Sequence, residues 1–432
     1  MAGEATRAAT AGTPAGGRPP LPDVVTASGP LESSALLTSG DVAALALPIA
    51  PPADGETEVQ PRGDTTAAAI RYGVDLADLA GRAGLKGKAG EATRSTCRTA
   101  WPDVVQRCRG QIILLGIGSG SPSDLRKAGA ALARAGRGLE RVVTTAGSDG
   151  TAEGFRAFVE GYRLASYRRP TLATREPEPA PSEQLVVLGR HADEDLAKAR
   201  VTVRATWLAC DLANTPSNIK NPVWMADRAS ALAREAGLEV TVWDLERLRA
   251  ENFGGILAVG AGSASEPRLV TVSFRPASPG GQHVVVVGKG ITYDTGGLSI
   301  KPRDAMIPMK ADMTGAAVAL AVVLGTAEAG LPHSVTAVLP LAENAVGASS
   351  YRPSDVLRLH DGRTVEITNT DAEGRIVLAD ALSYAQRALA PDVLVDVATR
   401  PGAASQGLGK QYGALYSTDP DLAAARSPRR CS

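Results

Sequence analysis

Val284-Val285-Val286-Val287-Gly288-Lys289-Gly290 opens the stretch that decides how this chain folds, and the stretch continues to Arg375. Four valines with no polar alternate read as an interior strand of a parallel sheet, because both of its faces must be covered. Thr292-Tyr293-Asp294-Thr295-Gly296-Gly297 and Leu298-Ser299-Ile300-Lys301-Pro302 follow. Met309-Lys310-Ala311-Asp312-Met313-Thr314-Gly315 then leads into residues 316–324, apolar enough for a buried helix, and Asn369-Thr370-Asp371-Ala372-Glu373-Gly374-Arg375 closes the stretch. Four carboxylates therefore fall at strand ends and helix starts, where open α/β sheets carry their chemistry.

Around this stretch the pattern alternates. Helix 222–236, opened by an Asn221-Pro222 cap, precedes strand 238–243, a short helix to Glu251, and strands 269–274 and 284–287. Helix 313–329, strands 334–340 and 363–368, helix 374–389 and strand 393–397 come after. The predicted fold class is α/β with two α/β domains, the C-terminal one a mostly parallel central sheet flanked by helices. Residues 1–35, rich in Ala, Gly, Pro and Thr, read as a disordered tail. Residues 36–190 read as an N-terminal α/β domain, with strands at 42–49, where Pro48, Pro51 and Pro52 soon stop the run, at 111–115 and at 185–188, and helices at 74–83, 123–135 and 152–162. Residues 191–220 form a linking helix and loop, and 221–432 the C-terminal domain.

Lys and Arg total 46, as do Asp and Glu, so no strongly basic surface points to nucleic acid. Cys97, Cys108, Cys210 and Cys431 lack any CxxC spacing, which fits a reducing compartment. Neither a secretory leader nor an apolar run of about 20 residues is present, so the expected protein is a cytoplasmic one without a membrane span. Gly116-Ile117-Gly118-Ser119-Gly120 after a strand resembles part of a dinucleotide fingerprint, but an ordinary βα turn explains it as well. Ser217-Asn218-Ile219-Lys220 matches the short SxxK pattern without a Lys-Thr-Gly partner.

Asp371 and Glu373 are two residues apart, which in an extended segment points both the same way. With Asp294 and Asp312 beside glycines, four gathered carboxylates would repel unless cations lay between them, a need that two divalent ions meet. Each carboxylate alone reads more readily as a helix cap or surface group, whereas all four together in glycine-flanked apolar contexts do not. None of His191, His283, His333 and His360 forms an HExxH pair, so a metal site here is built from hard oxygen ligands, with or without an amine, and suits Mn, Mg or Zn alike. Lys289 and Lys301 are the cations embedded in these apolar, glycine-rich segments. Arg375 could hold an anion such as bicarbonate with its planar fork, or pair with the same carboxylates.

On these residues the chain resembles the leucyl aminopeptidase, or cytosol aminopeptidase, family, whose Asn-Thr-Asp-Ala-Glu-Gly-Arg signature stands at 369–375. Segments 287–297, 299–302 and 309–313 match in order and spacing. The resemblance implies Lys289, Asp294, Asp312 and Glu373 around one ion, and Asp294, Asp371 and Glu373 around a second, the two being Mn²⁺ or Zn²⁺. It also implies Lys301 at the substrate carbonyl or oxyanion, a bicarbonate on Arg375, and Met309 in the pocket for the first side chain. The implied activity is removal of a leucine-like N-terminal residue from peptide substrates, by a homo-oligomer that is hexameric in relatives. Two departures stand out. Arg400-Pro401-Gly402-Ala403 follows Asp396-Val397-Ala398-Thr399 where the family has a small apolar wall, and the chain ends at Ser432 where relatives continue. A shortened catalytic domain is thus expected to expose a sheet edge, and the alternative is a non-catalytic relative acting as an assembly or regulatory protein.

Overall fold

The computed structural model describes residues 21–31, 34, 42–96, 111–148, 150–169, 179–189, 193–278, 280–399, 406–409 and 413–426. Two α/β regions, each built on its own sheet, match the predicted fold class, and one long helix lies between them in the chain.

The first sheet runs β1 (Asp23–Ala27), β7 (Gln184–Leu188), β6 (Arg141–Thr144), β2 (Ala44–Ala50), β5 (Gln111–Gly116) and β4 (Ala92–Thr96), with β3 (Gln60–Pro61) on the end of β2. Neighbours from β1 to β5 are parallel; β4 is antiparallel to β5. Two expectations are corrected here. Asp23–Ala27, placed in the tail, is an edge strand, because Val24 buries in the core while its backbone pairs with β7. Pro48 does not stop β2: it lies past the end of the β6 ladder, where no pairing asks for its missing N–H, and its carbonyl accepts from Arg62 N at 3.0 Å. Helices α1 (Thr65–Tyr72), α2 (Leu76–Arg82), α3 (Pro122–Ala135) and α4 (Ala152–Ala165) cover this sheet. Gly129 and Gly161 let α3 and α4 touch, since a methyl at Gly161 would collide with the Arg126 carbonyl.

Helix α5 (Asp193–Asn214) packs on α4 at one end and on α10 (Thr314–Glu328) at the other. Beyond it, α6 (Pro222–Glu235) starts as predicted: the Asn221 side chain accepts from Trp224 N at 2.9 Å, with Pro222 in the first turn. Two short helices, α7 (Leu245–Ala250) and α8 (Gly254–Gly260), follow β8 (Glu239–Trp243).

The second sheet is ordered β15 (Val393–Val397), β10 (His283–Gly288), β12 (Ser334–Asn344), β9 (Arg268–Phe274) and β8, with β11 (Gly290–Asp294) also on β12. β10 lies parallel to both β15 and β12, while β9 and β8 form an antiparallel arm. The valine run lacks alternation for a visible reason. Val285 and Val287 enter one core with Ile376, Val377 and Ala381 of α11 (Glu373–Tyr384), whereas Val286 enters the other with Ala316 and Leu320 of α10. Residues 363–368, read as a strand of the sheet, instead place β14 (Thr364–Glu366) against β13 (Val356–Arg358) in a separate two-stranded ribbon.

From Arg303 to Glu328 the chain is helical for 26 residues and apolar enough to cross a bilayer, which the sequence reading did not expect. A 3₁₀ turn at Ile307–Ala311 interrupts it between α9 (Arg303–Met306) and α10, and α10 is a core helix, with Ala316, Ala317, Ala319, Leu320 and Val323 buried on the sheet. Its start sits tightly against the strand ends: methyls at Gly288 or Gly315 would collide with Gly315 O and Val397 O. That close approach delivers Asp312 beside Lys289.

Candidate metal centre

The centre lies where β10, β11, α10 and α11 converge at one end of the second sheet. Lys289 occupies the kink between β10 and β11; its N–H bonds Val397 O at 2.9 Å and its carbonyl accepts from Ala316 N at 2.8 Å. Gly374 leaves room for the side chain, because a Cβ there would meet Lys289 Cε. Asp294 ends β11 and is held by Gly296 N at 2.8 Å and Asn344 Nδ2 at 2.9 Å on the same oxygen, which leaves Oδ2 facing inward. The Gly296 and Gly297 turn that follows needs φ values of 86° and 60°, open to glycine at little cost.

Asp371 and Glu373 do converge, but not as an extended pair. Thr370–Ala372 is a 3₁₀ turn and Glu373 is the first residue of α11, so the turn, and not strand alternation, brings them together. Thr370 fixes this turn to the neighbouring loop: Oγ1 donates to Gly296 O at 2.7 Å and accepts from Ser299 N at 2.8 Å, while its carbonyl accepts from Tyr351 OH at 2.8 Å.

Two ammonium groups thread the carboxylates. Lys289 Nζ lies 2.8 Å from Asp312 Oδ2 and 2.9 Å from Glu373 Oε1. Lys301 Nζ lies 2.8 Å from Asp294 Oδ2 and also pairs with Asp371. Burial alone would lower both lysines, yet Glu373 and Asp312 hold Lys289 above its ordinary value, and Asp294 and Asp371 hold Lys301 above its own. Burial pushes the Asp312 carboxyl up to about 6, against the pull of Lys289 and the hydroxyl of Thr399, which donates to it at 2.6 Å.

A divalent ion fits these residues. Asp294, Asp371 and Glu373 each offer an oxygen, all within 4.8 Å of one another. Glu373 Oε2 is buried with no hydrogen-bond partner among the described residues, an orphan that a hard cation would satisfy. The structure thus brings together Lys289, Asp294, Lys301, Asp312, Asp371 and Glu373. Met309 is buried on the adjoining 3₁₀ turn. Arg375 is exposed on the first turn of α11 and pairs with no carboxylate among the described residues, so its alternative role as a salt bridge is not observed. Arg400-Pro401 lies outside the described residues.

Asn344, Thr399 and Tyr351 escaped the sequence reading as functional groups. Asn344 was out of reach because the expected strand spans only 334–340, whereas β12 continues to Asn344 and pairs it with Asp294. The two weaker motifs resolve as structure. Ser217 Oγ donates to Thr292 O and Lys220 Nζ to backbone carbonyls, so no Ser–Lys dyad forms. Asp124 occupies the turn at Ser119 where a nucleotide phosphate would have to sit.

The family profile described as the cytosol aminopeptidase family, catalytic domain, matches residues 207–427. A probable cytosol aminopeptidase of Leifsonia xyli subsp. xyli (strain CTCB07) is 47% identical over 293 residues, 66% of this chain and 58% of that protein. One from Rhodococcus jostii (strain RHA1) is 40% identical over 320 residues, 71% of this chain and 62% of that protein. The chain therefore spans less than two thirds of the length of these relatives. Among solved structures, the bottromycin maturation enzyme BotP in complex with Mn aligns with a TM-score of 0.74 at 32% identity, covering 89% of this chain and 78% of that one.

Proposed function

The chain belongs to the cytosol aminopeptidase family, and from that premise we propose that it is a metal-dependent aminopeptidase releasing leucine-like N-terminal residues from peptides. The observation that carries the reading is the Asp294, Asp371 and Glu373 cluster with its orphaned Glu373 oxygen. In this reading Asp294, Asp312, Asp371 and Glu373 would hold two divalent ions, Mn²⁺ or Zn²⁺, with Lys289 joining as a neutral amine once an ion takes the place of its proton. Such ions supply Lewis-acid polarisation and a nucleophilic water at neutral pH.

The chain's own residues do the rest. These carboxylates would hold the metal ion that also accepts the free amino group distinguishing a peptide's first residue, which favours an exopeptidase. Lys301 is kept protonated by Asp294 and Asp371, so its ammonium can donate to the oxyanion that develops on the scissile carbonyl. Arg375, exposed and unpaired among the described residues, is available to a small anion such as bicarbonate, and Met309 lines the pocket for the first side chain. A cytoplasmic homo-oligomer, hexameric as the resemblance implies, completes the proposal.

Hydrolysis of leucine p-nitroanilide by the full 432-residue chain with Mn²⁺ tests it, beside Lys301→Ala. Turnover that needs Mn²⁺ and falls on the order of 10²-fold or more in the variant is expected. A folded, Mn²⁺-loaded chain with no turnover would favour the non-catalytic reading.

A further inference from the structure

Lys220 is fully buried, and no carboxylate pairs with it among the described residues. A buried cation without a counter-charge is costly, so something specific must hold it. Its Nζ donates to Leu212 O at 2.9 Å and to Lys310 O at 2.7 Å, with Ala213 O at 3.5 Å and Met313 Sδ at 3.0 Å. Lys310 answers in the other direction, donating from Nζ to Asn214 O at 3.0 Å.

A helix leaves its last four carbonyls without intrahelical partners, and they carry the negative end of its dipole. In α5 these belong to Asp211, Leu212, Ala213 and Asn214. Thr215 takes the first through its N–H and hydroxyl. Lys220 and Lys310 take the other three, and both also belong to, or bond, the Lys310–Met313 turn that presents Asp312. The other side of the same helix end is tied to the first region, since Tyr167 OH donates to Asp211 and accepts from Asn214 Nδ2.

We propose that Lys220 is a positioning residue, which lashes the last turn of α5 to the Lys310–Met313 turn and so holds Asp312 in register with Lys289 and Glu373. Capping alone would not require this arrangement, because a glycine just past the helix end closes such a turn with backbone groups. The lysine instead reaches across to a different segment, the one that carries a ligand. Its two short carbonyl contacts need only two N–H donors, so the clamp persists in the neutral amine. This inference rests on the metal reading only for the purpose of the positioning, not for the clamp itself.

Hydrogen exchange of the metal-free full chain tests the clamp, and Mn²⁺ titration followed by electron paramagnetic resonance tests its consequence. The variants are Lys220→Met, Lys310→Met and, as a control for general destabilisation, Val203→Ala in the buried face of the same helix. Lys220→Met is expected to speed exchange of amides 309–316 and weaken Mn²⁺ binding, each about tenfold. Lys310→Met should shift both in the same direction by less, and serves alone should Lys220→Met fail to fold. Val203→Ala should leave both unchanged relative to its loss of global stability. Unchanged exchange at 309–316 in the lysine variants, or equal changes in Val203→Ala, would overturn the proposal. A wild type that takes up no Mn²⁺ would sink the metal reading, while the exchange arm still decides whether Lys220 positions the turn.

Discussion

Each of the two sheets has a parallel strand that ends in a glycine-rich segment beside a carboxylate, and the two strand ends have opposite electrostatics. In the first region β5 leads through Gly116–Gly120 to α3. Asp124 there accepts from Ser119 N at 3.0 Å and Ser119 Oγ at 2.8 Å, with Lys127 nearby. Partial burial opposes ionisation, yet the Ser119 bonds hold Asp124 below its usual value. In the second region β10 leads through Gly288–Gly290 to a site where Asp312 is pushed up by burial and Glu373 keeps an unpartnered oxygen. Glycines at a strand end are thus common to both. What separates a turn from a site is carboxylates that their own segment cannot satisfy.

The strongest way to break this contrast is to neutralise one carboxylate in each region. Glu373→Gln should weaken Mn²⁺ uptake at least tenfold and reduce turnover of leucine p-nitroanilide on the order of 10²-fold or more. Equilibrium dialysis and initial rates read both. Full Mn²⁺ occupancy in Glu373→Gln would show that the orphaned oxygen is a structural feature only.

A second contrast lies between two buried lysines, and pH sharpens it. Lys289 has two carboxylates and stays protonated, whereas burial lowers Lys220 to about 7, with Lys310 adding to the effect. Between about 7 and its ordinary value, the unfolded chain binds more protons at Lys220 than the folded one, so the stability it contributes rises with pH. Wild type should therefore gain on Lys220→Met by about 1.4 kcal/mol per pH unit above pH 7. Urea midpoints at pH 7, 8 and 9 measure the gap; a constant gap would mean that Lys220 remains an ammonium in the folded chain.

The difference between the regions also explains what could be read before folding. Val284–Val287 was legible as an interior strand because two cores demand apolar side chains on both faces. The residues that cluster at the site were legible because they lie within dense local motifs. Asn344 and the β10–β11 kink were not, since their roles depend on β12 running past Pro340 to meet Asp294 across the sheet. Lys220 was invisible for the same reason: in sequence it is one lysine in a loop, and only packing places it among carbonyls 8 and 90 residues away. The geometry inferred for Asp371 and Glu373 failed locally, because a two-residue spacing in a tight turn can converge as readily as one in a strand.

The smallest expected effect is on the quiet side of the comparison. Asp124→Ala removes the acceptor that closes the turn before α3, a loss of about 1 kcal/mol, comparable to that of a helix cap. A thermal unfolding scan should register it as a modest fall in Tm, with Mn²⁺ affinity and turnover unchanged. The reason is separation in role: Ser119 and Asp124 satisfy one another, and among the described residues no group of the metal centre bonds to either. A loss of Mn²⁺ binding in Asp124→Ala would mean that the first sheet reaches the site through α4 and α5, and the two turns would no longer stand as scaffold and site but as coupled parts of one machine.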